Sequence, residues 1–191
     1  MIWYTIALLY LWRIFKLWID TLIIAPFRTP EMLWILVPVW LNWVFAEFFQ
    51  EKLRTSTGNA LSNSIVLIWG SVDCTRQTTV LIASGIIKGT WNVVARFSLA
   101  GLIFLYGLLI VFLGLRGSKK AGRVGRIREV TYVCMMFIPV FYNELPLTWD
   151  HFFAAAVYFP LFYFIVEVID RITPNPKSIA EEAVDMGKMK F

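Results

Sequence analysis

The feature that most constrains this chain is a series of apolar segments long enough to cross a bilayer. The clearest runs from Phe97 to Leu115 without a charged residue, and a transmembrane helix needs roughly 20 apolar residues. Only 16% of the whole chain is charged and 59% is hydrophobic, whereas about 25% is charged in typical globular domains. We therefore expect an integral membrane protein of the cell membrane.

Six such segments, separated by polar stretches, predict an all-α polytopic helix bundle over residues 1–172. The predicted transmembrane helices lie near residues 2–25, 32–49, 61–87, 97–115, 130–145 and 152–169. The first segment carries a charged stripe, so an interfacial helix is the alternative to a span there. Residues 173–191 are predicted to form a short cytoplasmic tail with a small helix, because Ser178 and Glu181 make a capping box.

The basic residues between the segments indicate the orientation of the bundle. With six spans, most of them share one side with both termini, and only Arg28, Lys88 and Arg96 fall on the other. The positive-inside rule places the basic side, with both termini, in the cytoplasm. The densest basic loop is predicted to bind anionic lipid headgroups rather than nucleic acid, since it adjoins apolar helices. Its basic residues are Arg116, Lys119, Lys120, Arg123, Arg126 and Arg128.

The third segment has a polar centre, GSVDCTRQTT at Gly70–Thr79. Asp or Arg at the centre of a membrane helix costs roughly 2.5–3.5 kcal/mol on insertion scales, so Asp73 and Arg76 need partners. Helical spacing and equal depth predict that they join a stripe of the first segment in one charge cluster. That stripe consists of Arg13, Lys16 and Asp20. The cluster keeps one surplus positive charge, which Glu47, water or an anion would match.

Two functions fit such a cluster. The leading interpretation is a small channel or carrier for an ion or small polar solute, whose path the cluster lines, with Asp73, Arg76 and Gln77 as pathway residues. The cluster could instead be a structural ion-pair network in a non-catalytic scaffold or assembly subunit. A separate structural possibility is that the helix breaks at this decamer and that the chain forms a water-lined turn there.

Other signals are weaker. Ala100, Gly107 and Gly114 recur at intervals of seven and predict close helix packing, within the bundle or with another copy. The small size of the chain favours a homo-oligomer or a membrane partner subunit. Glu167 and Asp170 are expected to pair with Arg171 or the basic loop. The sequence holds one histidine and no familiar catalytic motif, so we expect no enzyme activity, metal or cofactor.

Overall fold

The computed structural model describes residues 3–50 and 55–173, and the predicted tail helix lies outside them. Within these residues every regular element is helical. The α-helices are α1 (Trp3–Ile19), α2 (Ala25–Arg28), α3 (Leu33–Phe45), α4 (Thr57–Ala83), α5 (Thr90–Leu115), α6 (Ala121–Val124), α7 (Ile127–Phe141) and α8 (Trp149–Ile172). A π-helical turn (Asp20–Ile24) joins α1 to α2, and a 3-10 turn (Pro30–Met32) and a π-helical turn (Ala46–Gln50) flank α3.

Three helical stretches are long and apolar enough to cross a membrane. They are Pro30–Phe49, Thr90–Leu115 and Trp149–Ile172. α7 has only 15 residues, which is short for a bilayer core of about 30 Å. α1 continues through the π-helical turn and α2 to Arg28, but Arg13, Lys16 and Asp20 lower its hydropathy. α4 has 27 residues, but its polar centre lowers its mean hydropathy.

α7 lies at the centre of the bundle, and most of its side chains are buried. α3, α5 and α8 run antiparallel to it, because each ends near the start of α7 or begins near its end. Three contacts fix these directions: Glu47 with Arg128, Arg96 with the Val140 carbonyl, and Glu167 with Arg128. The three candidate spans are therefore parallel to one another.

α4 runs in the same direction as α7. Asn63, near the start of α4, donates a hydrogen bond to the carbonyl of Gly125 just before α7, and Asp73 meets Tyr142 just after it. The polar decamer is regular α-helix, so the chain does not break there. α4 packs closely against α5, where a Cβ at Gly107 would lie 2.8 Å from the Ile68 side chain.

α7 ends at Phe141, four residues before the predicted end of its segment. Asn143 adopts a left-handed conformation with φ of 63°, and the backbone N–H groups of Asn143 and Glu144 bond the carbonyls of Val140 and Pro139. This pattern is a Schellman motif, which satisfies the last carbonyls of a helix and stops it. The helix is thereby kept short, and its final turn lies inside the bundle.

Candidate functional site

The polar centre of α4 forms a compact network with the end of α7. Arg76 donates from Nε and Nη2 to Oδ1 of Asp73, at 3.0 and 2.8 Å. The Tyr142 hydroxyl donates to Oδ2 of Asp73 at 2.8 Å. Asp73 and Tyr142 are buried, whereas the Arg76 side chain is 57% exposed. Both oxygens of the Asp73 carboxylate therefore have partners from within the chain.

Arg96 forms a second network at the same end of α7. Its side chain is buried and donates to three neutral acceptors: the Val140 carbonyl at 2.5 Å, Asn92 Oδ1 at 3.0 Å and Asn143 Oδ1 at 3.3 Å. No carboxylate bonds it among the residues that the structure describes. Since the carbonyl end of a helix carries partial negative charge, the end of α7 stabilises this cation. Arg96 lies between two predicted transmembrane segments, and the local signal for its burial in the sequence is Asn92 one turn earlier.

The start of α7 holds the most heavily paired arginine of the described bundle. Arg128 is buried and donates from Nε to Glu47 at 2.6 Å and from Nη1 to Glu167 at 2.9 Å. Its Nη2 lies 3.8 Å from a carboxylate oxygen of Asp170. Arg171 also bonds Glu167 at 3.1 Å. The ends of α3 and α8 are thus tied to α7 through one guanidinium.

This burial corrects one prediction for the basic loop. Arg128 cannot meet a lipid headgroup, because its charge is enclosed by the ends of α3 and α8. Arg126 donates to the Tyr163 hydroxyl. The remaining basic residues of the loop, Arg116, Lys119, Lys120 and Arg123, are exposed.

The structure does not bring the charged stripe of α1 to Asp73 and Arg76. α1 packs mainly on α8, and Arg13 donates to Asp150 at 2.7 Å. Asp20 accepts two hydrogen bonds from Arg28, at 2.6 and 3.1 Å. The Lys16 ammonium lies 5.9 Å from the centre of the Trp12 ring. The predicted single cluster is therefore several separate networks.

The remaining predicted site residues pack within the helix bundle. Gln77 is half-buried on α4. Ala100, Gly107 and Gly114 are buried on α5, and the two glycines lie against α4. His151 is buried with Nε2 2.7 Å from the Met136 carbonyl oxygen. Within residues 3–50 and 55–173, no group of three or more His, Cys, Asp or Glu side chains is placed to hold a metal ion.

Three open cavities in the described part of the chain have linings that contain neither Asp73 nor Arg76. The largest, about 630 Å³, lies along α1 and the turn after it. A second, about 360 Å³, lies between the start of α4 and the basic loop. The third, about 340 Å³, is a shallow groove between α4 and α5.

Comparison with protein families, with curated proteins and with solved structures finds no match to this chain.

Proposed function

We propose that this chain is a non-catalytic membrane scaffold or assembly subunit in which ion-pair networks hold a short central helix in place. The observation that carries the proposal is the closed hydrogen bonding of Asp73, whose two carboxylate oxygens are bonded by Arg76 and Tyr142. A pathway residue needs polar atoms that a passing ion or solute can reach. The Asp73 oxygens instead accept hydrogen bonds from Arg76 on α4 and from Tyr142 just after α7.

The distribution of the other charges supports the same proposal. Arg13, Asp20 and Arg128 each bond a carboxylate or guanidinium at a different place in the bundle. They do not converge on one water-lined path. Breaking a buried ion pair such as Arg128 with Glu47 is strongly destabilising even where the pair has no other role, so this network needs no transport function to be retained.

The directions of the helices support a topology with more crossings than the three apolar spans alone. Pro30–Phe49, Thr90–Leu115 and Trp149–Ile172 run parallel, so the chain must return across the bilayer between them. We infer that α4, packed on α5, and α7, enclosed by its neighbours, make the returns, and that α1 supplies the sixth crossing. The exposed basic loop then lies in the cytoplasm, together with both termini.

Cysteine labelling in sealed vesicles tests the return made by α4. Thr57 at the start of this helix and Ile86, three residues past its end, are exposed, and the natural Cys74 and Cys134 are buried. We expect Thr57→Cys and Ile86→Cys to react with a membrane-impermeant maleimide from opposite sides. Labelling of both from one side would contradict the topology.

The groove between α4 and α5 is the surface where we expect a second copy of the chain to pack. It is lined by Ser71, Val72, Thr75, Phe97, Ala100, Gly101 and Phe104. A Cβ at Gly101 would meet no atom within 4 Å, so packing within the described bundle does not require a glycine at this position. Small residues at a lipid-facing groove allow close approach of another helix.

A pair of glycine substitutions tests this surface. Gly101→Leu fills the groove and should shift the protein from oligomer to monomer in cross-linking and light-scattering measurements. Its thermal stability should change little. Gly107→Leu is the matched control, because its side chain would collide with Ile68 and should destabilise the fold. An unchanged oligomeric state in Gly101→Leu, or a monomeric wild type, would overturn the assembly proposal.

Flux in proteoliposomes separates this proposal from transport through the polar centre of α4. We expect no flux of cations, anions, protons or small polar solutes above that of empty vesicles. Flux that Asp73→Asn abolishes, in a protein that still elutes as the wild type does, would favour the channel or carrier. Loss of stability without any flux in either protein would agree with the structural network.

A further inference from the structure

The largest of the three cavities described above is an open groove along α1 that combines charged and apolar walls. Its volume is about 630 Å³. The charged residues that line it are Arg13, Lys16, Asp20 and Arg28, and the apolar ones include Trp12, Phe15, Leu17 and Ile24. This site is separate from the oligomer groove and from the basic loop.

The ion pairs around this groove leave one cation unmatched. Arg28 is held by both oxygens of Asp20, and Arg13 is held by Asp150. Lys16 is exposed, and no carboxylate in the described parts of the chain lies within ion-pair distance of it. The lining therefore carries one cation, Lys16, beyond those that Asp20 and Asp150 neutralise. Its net positive charge is complementary to an anion.

The groove lies at the end of the bundle where the three apolar spans begin. Arg13 contacts the second residue of α8, and Arg28 comes just before Pro30. At this same end each span has a highly exposed tryptophan: Trp34, Trp91 and Trp149. Tryptophan is enriched at the level of lipid headgroups. The positive charge of the groove is therefore placed at headgroup depth, with its apolar walls beside the acyl region.

We propose that this groove binds one anionic phospholipid. Lys16 contacts the phosphate, and Trp12, Phe15 and Ile24 contact the upper part of an acyl chain. A phospholipid satisfies both kinds of wall at once. Free phosphate shares the chemistry of the headgroup but has nothing to place against the aromatic side.

Native mass spectrometry of the full chain in detergent tests this site. The probe is dioleoyl-phosphatidylglycerol, with dioleoyl-phosphatidylcholine and inorganic phosphate as comparisons. We expect Lys16→Gln to lower phosphatidylglycerol binding about five-fold, since a basic residue beside headgroups contributes about that factor. Lys88→Gln is the matched control, because Lys88 is an exposed lysine at the same end of the bundle. It should bind as the wild type does.

Lys16→Arg keeps the charge and should retain binding, which separates loss of charge from loss of fold. Three results would overturn the proposal. The first is equal phosphatidylglycerol binding by wild type and Lys16→Gln. The second is equal binding of phosphatidylcholine and phosphatidylglycerol, which would show that the apolar walls bind lipid without regard to its charge. The third is displacement of the lipid by inorganic phosphate at equal concentration, which would assign the site to free phosphate.

Discussion

The two ends of α7 hold buried arginines in opposite ways. At the start, Arg128 is surrounded by the carboxylates of Glu47, Glu167 and Asp170. At the end, Arg96 is bonded by a backbone carbonyl and two asparagine side chains. The burial of the two guanidinium groups is almost the same, so burial alone does not determine which partners a cation needs.

The difference follows from the charge distribution of the helix itself. The first turn of a helix carries partial positive charge and the last turn partial negative charge. Arg128 is the second residue of α7, where the partial positive charge of the first turn repels its guanidinium group. The carboxylates of Glu47, Glu167 and Asp170 offset this repulsion. Arg96 meets the last turn of α7, where the Val140 carbonyl is favourably placed. Position along one short helix thus decides whether a buried arginine requires acids.

The largest predicted effect is at the start of α7. Arg128→Met leaves the buried carboxylate of Glu47 without its partner and should lower the free energy of unfolding by about 3–5 kcal/mol. Denaturation in mixed micelles measures this loss. The double variant Arg128→Met, Glu47→Leu should regain most of it, because both buried charges are then gone. A double variant as unstable as the single one would mean that packing, not charge, sets the loss.

An intermediate effect is expected at the other end. Arg96→Met removes the guanidinium donor from the Val140 carbonyl, Asn92 and Asn143. The Val140 carbonyl keeps the backbone N–H of Asn143, and no charge is left unpaired. The free energy of unfolding should fall by about 2 kcal/mol in the same assay, the usual cost of unsatisfied neutral polar groups. A loss equal to that of Arg128→Met would remove the contrast between the two ends.

The smallest predicted effect concerns Tyr142. Tyr142→Phe removes the donor to Oδ2 of Asp73 and should cost about 1.5 kcal/mol, as for hydrogen bonds to charged groups. Tyr106→Phe is the matched control, because the Tyr106 hydroxyl donates to the neutral carbonyl of Val124. It should cost less. The reverse order would show that Asp73 does not depend on Tyr142 for its stabilisation.

Much of the helix layout could be predicted from hydropathy, because the period and length of apolar segments are local properties. The segment predicted at residues 97–115 lies within α5, and that at 152–169 lies within α8. The end of α7 could not be predicted this way. It depends on Asn143 adopting a left-handed backbone, and the apolar residues continue past that point.

The pairing of charges was less predictable, since it depends on which helices are neighbours. Equal depth along the chain predicted Arg13 beside Asp73, but α1 packs on α8 and Arg13 meets Asp150. The pair of Asp73 with Arg76 is local to one helix, since the two residues lie three positions apart. In the sequence Arg128 is the last residue of a uniform basic loop, and no sequence pattern sets it apart as the buried one.

The tight packing of α4 on α5 bears on how the chain is inserted into a bilayer. During synthesis α4 emerges first, and its polar centre opposes release into lipid as a single helix. On the proposed topology it enters together with the uncharged part of α5, as a hairpin closed at Gly107 and Gly114. These two glycines would then allow close helix packing already during insertion, before the protein is folded. Bulky residues there would yield misoriented chains, a defect of biogenesis that equilibrium stability measurements would miss.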